Sequence, residues 1–204
     1  INNIMAQENS RPSHHLEDGT FTNTTGISNN KSYKEIYKWV TDKNRNKPTP
    51  YDFKIVSPNF DLINHVNKSK NVTWIGHATF LYQNQELNIL TDPHLTLRAS
   101  PFSFAGPKRY TPPGMNFDQL PNIDVITISH NHYDHLDTKT VKRIAKDNPE
   151  AIFLVPLGLK KWFLNQSIHN VVELDWWEEY VVNGTTITFT PVQHWSSRTL
   201  FDRN

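Results

Sequence analysis

The spacing of apolar residues divides the chain into stretches of different character. Residues 1–31 are polar with almost no apolar periodicity, which predicts a disordered leader. Lys34–Thr41 (KEIYKWVT) has the spacing of one short helix, and two prolines within Asn44–Pro50 end it. From Val72 onward the pattern tightens. Val72–Ile75, Ala78–Tyr82 and Leu87–Leu90 read as short strands, and Ile123–Ile128 (IDVITI) as a strand buried on both faces. After it, Asp137 or Thr138 can cap a helix with Val141, Ile144 and Ala145 on one side, stopped by Asn148-Pro149. Ala151–Val155 is a further buried strand and Leu159–Leu164 a short helix. Val171–Leu174, Glu179–Val182 and Thr185–Thr190 complete the strands, the last two joined by an Asn183-Gly184 turn. Ser100–Pro113, rich in Pro and Gly, is too long for a simple connector, and loops of that kind are often functional. Strands that come first singly and then alternate with helices predict an α/β fold around a mixed sheet. The expected organisation is a leader over 1–31, an extension over 32–71 and a main domain over 72–204.

Composition narrows the chemistry. The 21 Lys and Arg nearly cancel the 20 Asp and Glu, so no overall field draws the chain to nucleic acid or to anionic membranes. There is no cysteine, so a metal would have to be held by histidine and carboxylate. No apolar run approaches the roughly 20 residues that span a bilayer, and no charged-then-apolar signal segment opens the chain. A cytoplasmic location is the expectation, and Asn-x-Ser/Thr triplets such as Asn71-Val72-Thr73 are then chance matches. The chain starts at Ile1, with its first methionine at Met5, and is expected to be part of a longer product.

Directly after the IDVITI strand comes SHNHYDHLD, Ser129–Asp137, which packs three histidines and two aspartates into nine positions. Such residues are costly to bury unless something pairs with them. Alternate spacing puts His130 and His132 on one side of an extended segment, where both imidazoles can reach one ion. Asp134 and His135 follow as the chain turns, facing a neighbouring point, which suits the two-ion arrangement of binuclear hydrolases. His194, just past a later strand, is the candidate third ligand of the first ion. Helix capping by Asp134 and Asp137 explains one aspartate but not the histidines. Zinc fits this donor set and would acidify a bound water, although iron or manganese could take the same ligands. Each ligating imidazole also needs a partner for its other nitrogen, and Asp92 is either that partner or a turn-forming residue before Pro93. His77 either touches substrate or fills a turn, and Tyr133 is a further candidate for substrate contact. His14 and His15, in the leader, read as solvated.

SHNHYDHLD, preceded by WIGHAT and LTDP and followed by QHW, resembles the metallo-β-lactamase superfamily. GPKRY, VPLGL, ELDWWEE and TPVQHWSSRTL are similar to its N-acylphosphatidylethanolamine-hydrolysing phospholipase D branch, and the likeness runs from about Val72 to the last residue. The resemblance implies an αββα sandwich, here largely its first half. It implies one zinc on His130, His132 and His194 and a second on Asp134 and His135. It also implies that these ions, with Asp134 and His135 at the reacting centre, hydrolyse N-acylphosphatidylethanolamine to N-acylethanolamine and phosphatidate. No histidine is followed two positions later by lysine, so the His-x-Lys route of other phospholipases D is not open to this chain.

A phospholipid substrate implies peripheral contact with a membrane surface, for which Lys160–Phe163 and Trp176-Trp177 are sequence candidates. The family's bridging Asp and further His have no counterpart before Asn204. This chain is therefore expected to bind at most one zinc tightly, to turn over lipid negligibly by itself, and to leave a sheet face and edge uncovered, the activity belonging to a longer parent. Two rival readings are another hydrolase of the same fold, such as a sugar-phosphate lactonase or nuclease, and a non-catalytic zinc-binding module.

Overall fold

The computed structural model describes residues 12–25, 32–42, 54–65 and 70–199. These fall into two compact units. One holds the described residues of 1–46 together with 191–199, and the other those of 47–190. Residues 191–199, expected to continue the main domain, thus group with the N-terminal segments.

In the first unit, residues 12–25 make a small turn rather than plain coil. Leu16 and Thr20 share a backbone hydrogen bond of 2.9 Å, and His15 bridges to Phe21. His14 and His15 are half-buried, with the His15 ring edge-on to Phe21 at 5.0 Å, which corrects their reading as fully solvated. The rest of the expected leader lies outside the described residues. Helix α1 (Tyr33–Thr41) begins at a reciprocal cap: the Ser32 hydroxyl accepts from Glu35 N–H, and the Glu35 carboxylate accepts from Ser32 N–H.

The second unit is built on a six-stranded mixed sheet of β1 (Asn71–Gly76), β2 (Thr79–Gln83), β3 (Asn88–Thr91), β4 (Val125–Thr127), β5 (Ile152–Pro156) and β6 (Val171–Leu174), in that order. The first three pair antiparallel and β3 to β6 run parallel. Parallel neighbours need a crossover, and helices α3 (Thr138–Asp147) and α4 (Lys160–Asn165) provide it on one face. That face buries Leu90, Ile126 and Phe153, neighbours across β3, β4 and β5, against Val141, Ile144 and Phe163 of the helices. A further helix, α2 (Phe60–Asn64), adds Ile63 to this core. It was not read from the sequence because five residues burying a single side chain leave no periodicity.

The opposite face buries Ile89, Val125 and Leu154 under a separate hairpin, β7 (Glu179–Val182) and β8 (Thr185–Thr188), whose Tyr180, Val182 and Ile187 pack onto it. The expected Asn183-Gly184 turn closes the hairpin, with both residues at positive φ as a tight two-residue turn requires. Helices, sheet and hairpin stack in the order α, β, β. On the hairpin side of β1 and β2, Val72, Trp74 and Phe80 stay exposed.

Candidate metal centre

Parallel strands end together, so whatever follows β3 and β4 meets at one edge of the sheet. Asp92 follows β3, and the histidine stretch follows β4. Their backbones are joined as well: Asp92 N–H donates to Thr127 O at 2.8 Å. Beyond β4 the chain turns tightly, with the His135 and Leu136 N–H groups both bonded to His132 O. Leu136 is fully buried and pins the turn to the core. Asp137 then caps α3, accepting from Lys139 N–H and from the Thr140 hydroxyl. Three-histidine density on a turn is therefore held from both ends.

His130 Nε2 and His132 Nδ1 face each other at 2.8 Å. Two nitrogens on one tetrahedral zinc at about 2.0–2.1 Å would stand about 3.3–3.4 Å apart, so this pair needs only a small opening to hold an ion. Asp134 and His135 stand with His77: the His77 Nε2 lies 2.8 Å and the His135 Nε2 3.6 Å from Asp134 Oδ2. The ligand atoms of these three lie within 4.8 Å of one another. An all-nitrogen and oxygen donor set of this kind fits zinc and equally iron or manganese.

Asp92 gathers the partners of the site. Its carboxylate accepts from the Ser129 N–H at 2.7 Å, from the Ser129 hydroxyl at 2.7 Å and from His135 Nδ1 at 2.8 Å. Of the two readings open for it, the structure places it on the His135 ring, where it leaves Nε2 facing Asp134. The Ser129 hydroxyl also lies 2.9 Å from His130 Nδ1, so one carboxylate reaches both halves of the cluster. Burial pushes the His135 pKa down, but the hydrogen bond and charge of Asp92, with Asp134, more than offset it and hold the ring above its ordinary value. Burial likewise pushes the Asp134 carboxyl up, while His135 and His77 pull it below the usual carboxylate range.

His77 reaches Asp134 from an unusual backbone. Gly76 has φ +140° and His77 φ 51°, and the side of Gly76 where a Cβ would sit is filled by the Arg109 guanidinium, 2.5 Å from that position. Arg109 donates in turn to His94 O at 2.5 Å and to Thr111 O at 3.1 Å. The buried His94 ring has an unpartnered Nε2, and burial lowers its pKa. Sequence reading passed over both residues, although His94 stands two positions after Asp92 and Arg109 within GPKRY. Tyr133 is half-buried on the same turn as the cluster. His194 belongs to the first unit, where its N–H donates to Asn23 Oδ1 at 3.0 Å. The expected strand before it ends at Thr188 rather than Thr190.

A model of the Beta-lactamase superfamily domain matches residues 87–204, more than half of the chain. The chain belongs to the beta-lactamase superfamily. It is 42% identical over 200 residues, 91% of its length, to N-acyl-phosphatidylethanolamine-hydrolyzing phospholipase D 1 of Caenorhabditis elegans, and spans 55% of that protein. To the Saccharomyces cerevisiae protein named as the mitochondrial form of the same enzyme it is 37% identical over 144 residues, covering 65% of this chain and 29% of the other. Among solved structures, CmlA, a diiron beta-hydroxylase from Streptomyces venezuelae, superposes with a TM-score of 0.48 and 26% identity, over 62% of this chain and 24% of that one. The chain thus spans about half or less of the length of these relatives.

Proposed function

We propose that this chain carries the metal-binding core of a zinc-dependent phosphodiesterase of the phospholipase D type, acting on N-acylphosphatidylethanolamine to give N-acylethanolamine and phosphatidate. One observation carries the reading: His130 with His132, and Asp134 with the Asp92-held His135, converge at the ends of two adjacent parallel strands. The names of the nematode and yeast relatives supply the substrate. The family resemblance adds His194 to the His130 and His132 pair.

When bound, divalent ions would supply Lewis-acid polarisation of the phosphoryl oxygens and a more acidic water. The chain's own residues set the stage for this. Asp92 fixes the His135 ring with Nε2 turned toward Asp134. Ser129 passes the same constraint to His130. His77 restrains Asp134 Oδ2, and His77 and Tyr133 are the candidates for contact with a headgroup. A lipid substrate places the protein at a membrane surface as a peripheral component, and among the described residues no helix is long and apolar enough to cross one.

Two measurements test the reading. Zinc titration of the chain should show binding that H130A/H132A abolishes, and a zinc-loaded protein of the relatives' full length containing this chain should release N-acylethanolamine in preference to cleaving a lactone or RNA. A chain that takes up no divalent metal, or a full-length protein that prefers either competitor, would sink the proposal.

A further inference from the structure

We propose that the loop Leu97–Tyr110 is a preformed membrane-docking element that sets its aromatic tip into an anionic phospholipid surface. The inference rests on the lipid-substrate reading above and gives that reading a point of attachment.

The loop is rigid for its length. An Arg98–Lys108 bridge joins its two arms, with Ala99 N–H on Pro107 O and Arg109 N–H on Leu97 O, both at 3.0 Å. Across the tip, Arg98 Nη1 donates to Gly106 O at 2.6 Å and the Ser100 hydroxyl accepts from Phe102 N–H at 3.1 Å. Gly106 has φ +93°, and a Cβ there would run into Ser100 at 2.6 Å, so this closure depends on glycine. What the closed loop holds up is apolar. Phe102 and Phe104 are 56% and 79% exposed with ring centroids 5.6 Å apart, and Leu97 and Tyr110 at the two ends of the loop are exposed as well. A loop pinned this tightly that still presents two phenyl rings to water is shaped for an apolar phase outside the protein.

Charge identifies that phase. From His94 to Met115 the sequence contains Arg98, Lys108 and Arg109 and not one Asp or Glu. Exposed aromatic side chains beside the exposed Lys108 and the half-buried Arg98, with no carboxylate in the loop itself, match an anionic bilayer surface, where rings lie at the headgroup level and cations meet lipid phosphates. Arg109 is turned inward, and the acidic partner of this region, Asp137, sits at the foot of the loop on Thr96 N–H at 3.2 Å. The root of the loop is the Arg109 contact with His94 and Gly76, and the next residue, His77, touches Asp134. A bilayer held by this loop would therefore be held through the turn that meets the metal centre. The sequence candidates for this role fit less well: Phe163 is fully buried and Trp162 packs on the core, leaving Trp177 as the exposed aromatic of those stretches.

The chain itself can be tested by sedimentation with phosphatidylcholine vesicles, with and without phosphatidylserine. Binding should be stronger with phosphatidylserine and weaken in salt, and F102S/F104S should reduce partitioning by about tenfold or more. In an F104W variant, the indole should be quenched by brominated lipid when vesicles are bound. Several results would overturn the inference: no vesicle binding, unchanged partitioning in F102S/F104S, or an unquenched F104W on bound vesicles. So would lipid-free self-association that F102S/F104S removes, which would assign the tip to a second copy of the chain. Vesicle binding that needs the tip, in a chain that takes up no divalent metal, would support the docking role while counting against the proposed reaction.

Discussion

At the scale of single residues, Asp92 has the widest reach in the metal centre. Its two oxygens take three donors, and two of them belong to residues touching different halves of the ligand cluster. Replacing it by alanine frees the His135 ring to rotate and removes the acceptor that favours the Nδ1–H tautomer, which leaves the Nε2 lone pair for a metal. Partners of this kind typically change metal affinity about 10- to 100-fold. D92A should therefore weaken zinc binding by that factor in a chelator competition, with far-UV circular dichroism unchanged; affinity equal to wild type would show that the contact is incidental. The candidate ligand residues themselves were visible in the sequence because alternation past a strand end is a local property. For Asp92 the sequence left two readings open, since an Asp-Pro pair forms turns equally well and its partner lies 43 positions away.

At the scale of elements, the turn between β1 and β2 is where the chain departs most from a simple hairpin. The register shifts between Trp74 and Gly76, and the turn is held by Arg109 from below and by Trp74 Nε1 donating to His77 O at 2.9 Å. An alanine at position 76 would need both a disfavoured φ and displacement of the guanidinium. G76A is expected to cost about 1–3 kcal/mol, measured by chemical denaturation. In an R109A background part of that cost should disappear, since the steric component goes with the guanidinium. Equal costs in both backgrounds would put the whole effect in the backbone. The strands and helices around this turn were legible because each carries its own apolar period. α2 was missed for want of one, and the ends of β4 and β8 shifted because hydrogen bonding to neighbours decides where a strand stops.

For the whole molecule, metal and stability are linked through the centre. Zinc at roughly a hundred times its dissociation constant should stabilise the fold by about 2.7 kcal/mol if only the folded chain binds it. That gain depends on pH. His135 has a folded pKa above its ordinary value, so in the metal-free chain its ion pair with Asp92 stabilises fully below the ordinary value. This contribution fades as pH rises through the raised one. Zinc needs the neutral ring, so the zinc-dependent increase in Tm should grow over the same rise and shrink as the proton returns. Melting curves with zinc and with a chelator across that range would show it; a zinc effect independent of pH would mean that His135 is not a ligand.

The sequence by itself determined what is local: the periods of the strands and helices, the Asn183-Gly184 hairpin, a cap at Asp137 or Thr138 and the histidine-rich stretch from His130 to His135. It also determined that any metal here is held without thiolate. Only the tertiary structure decided which distant residues serve that stretch. Pairing β3 beside β4 in parallel brings Asp92 to the His135 ring, the shifted register of β1 turns His77 onto Asp134, and the closure of the Leu97–Tyr110 loop holds two phenyl rings in water. The physical reason is the same in each case. Backbone periodicity is written over a few neighbouring residues, whereas partners for a buried charge or a strained turn are supplied by whatever part of the chain the sheet brings alongside.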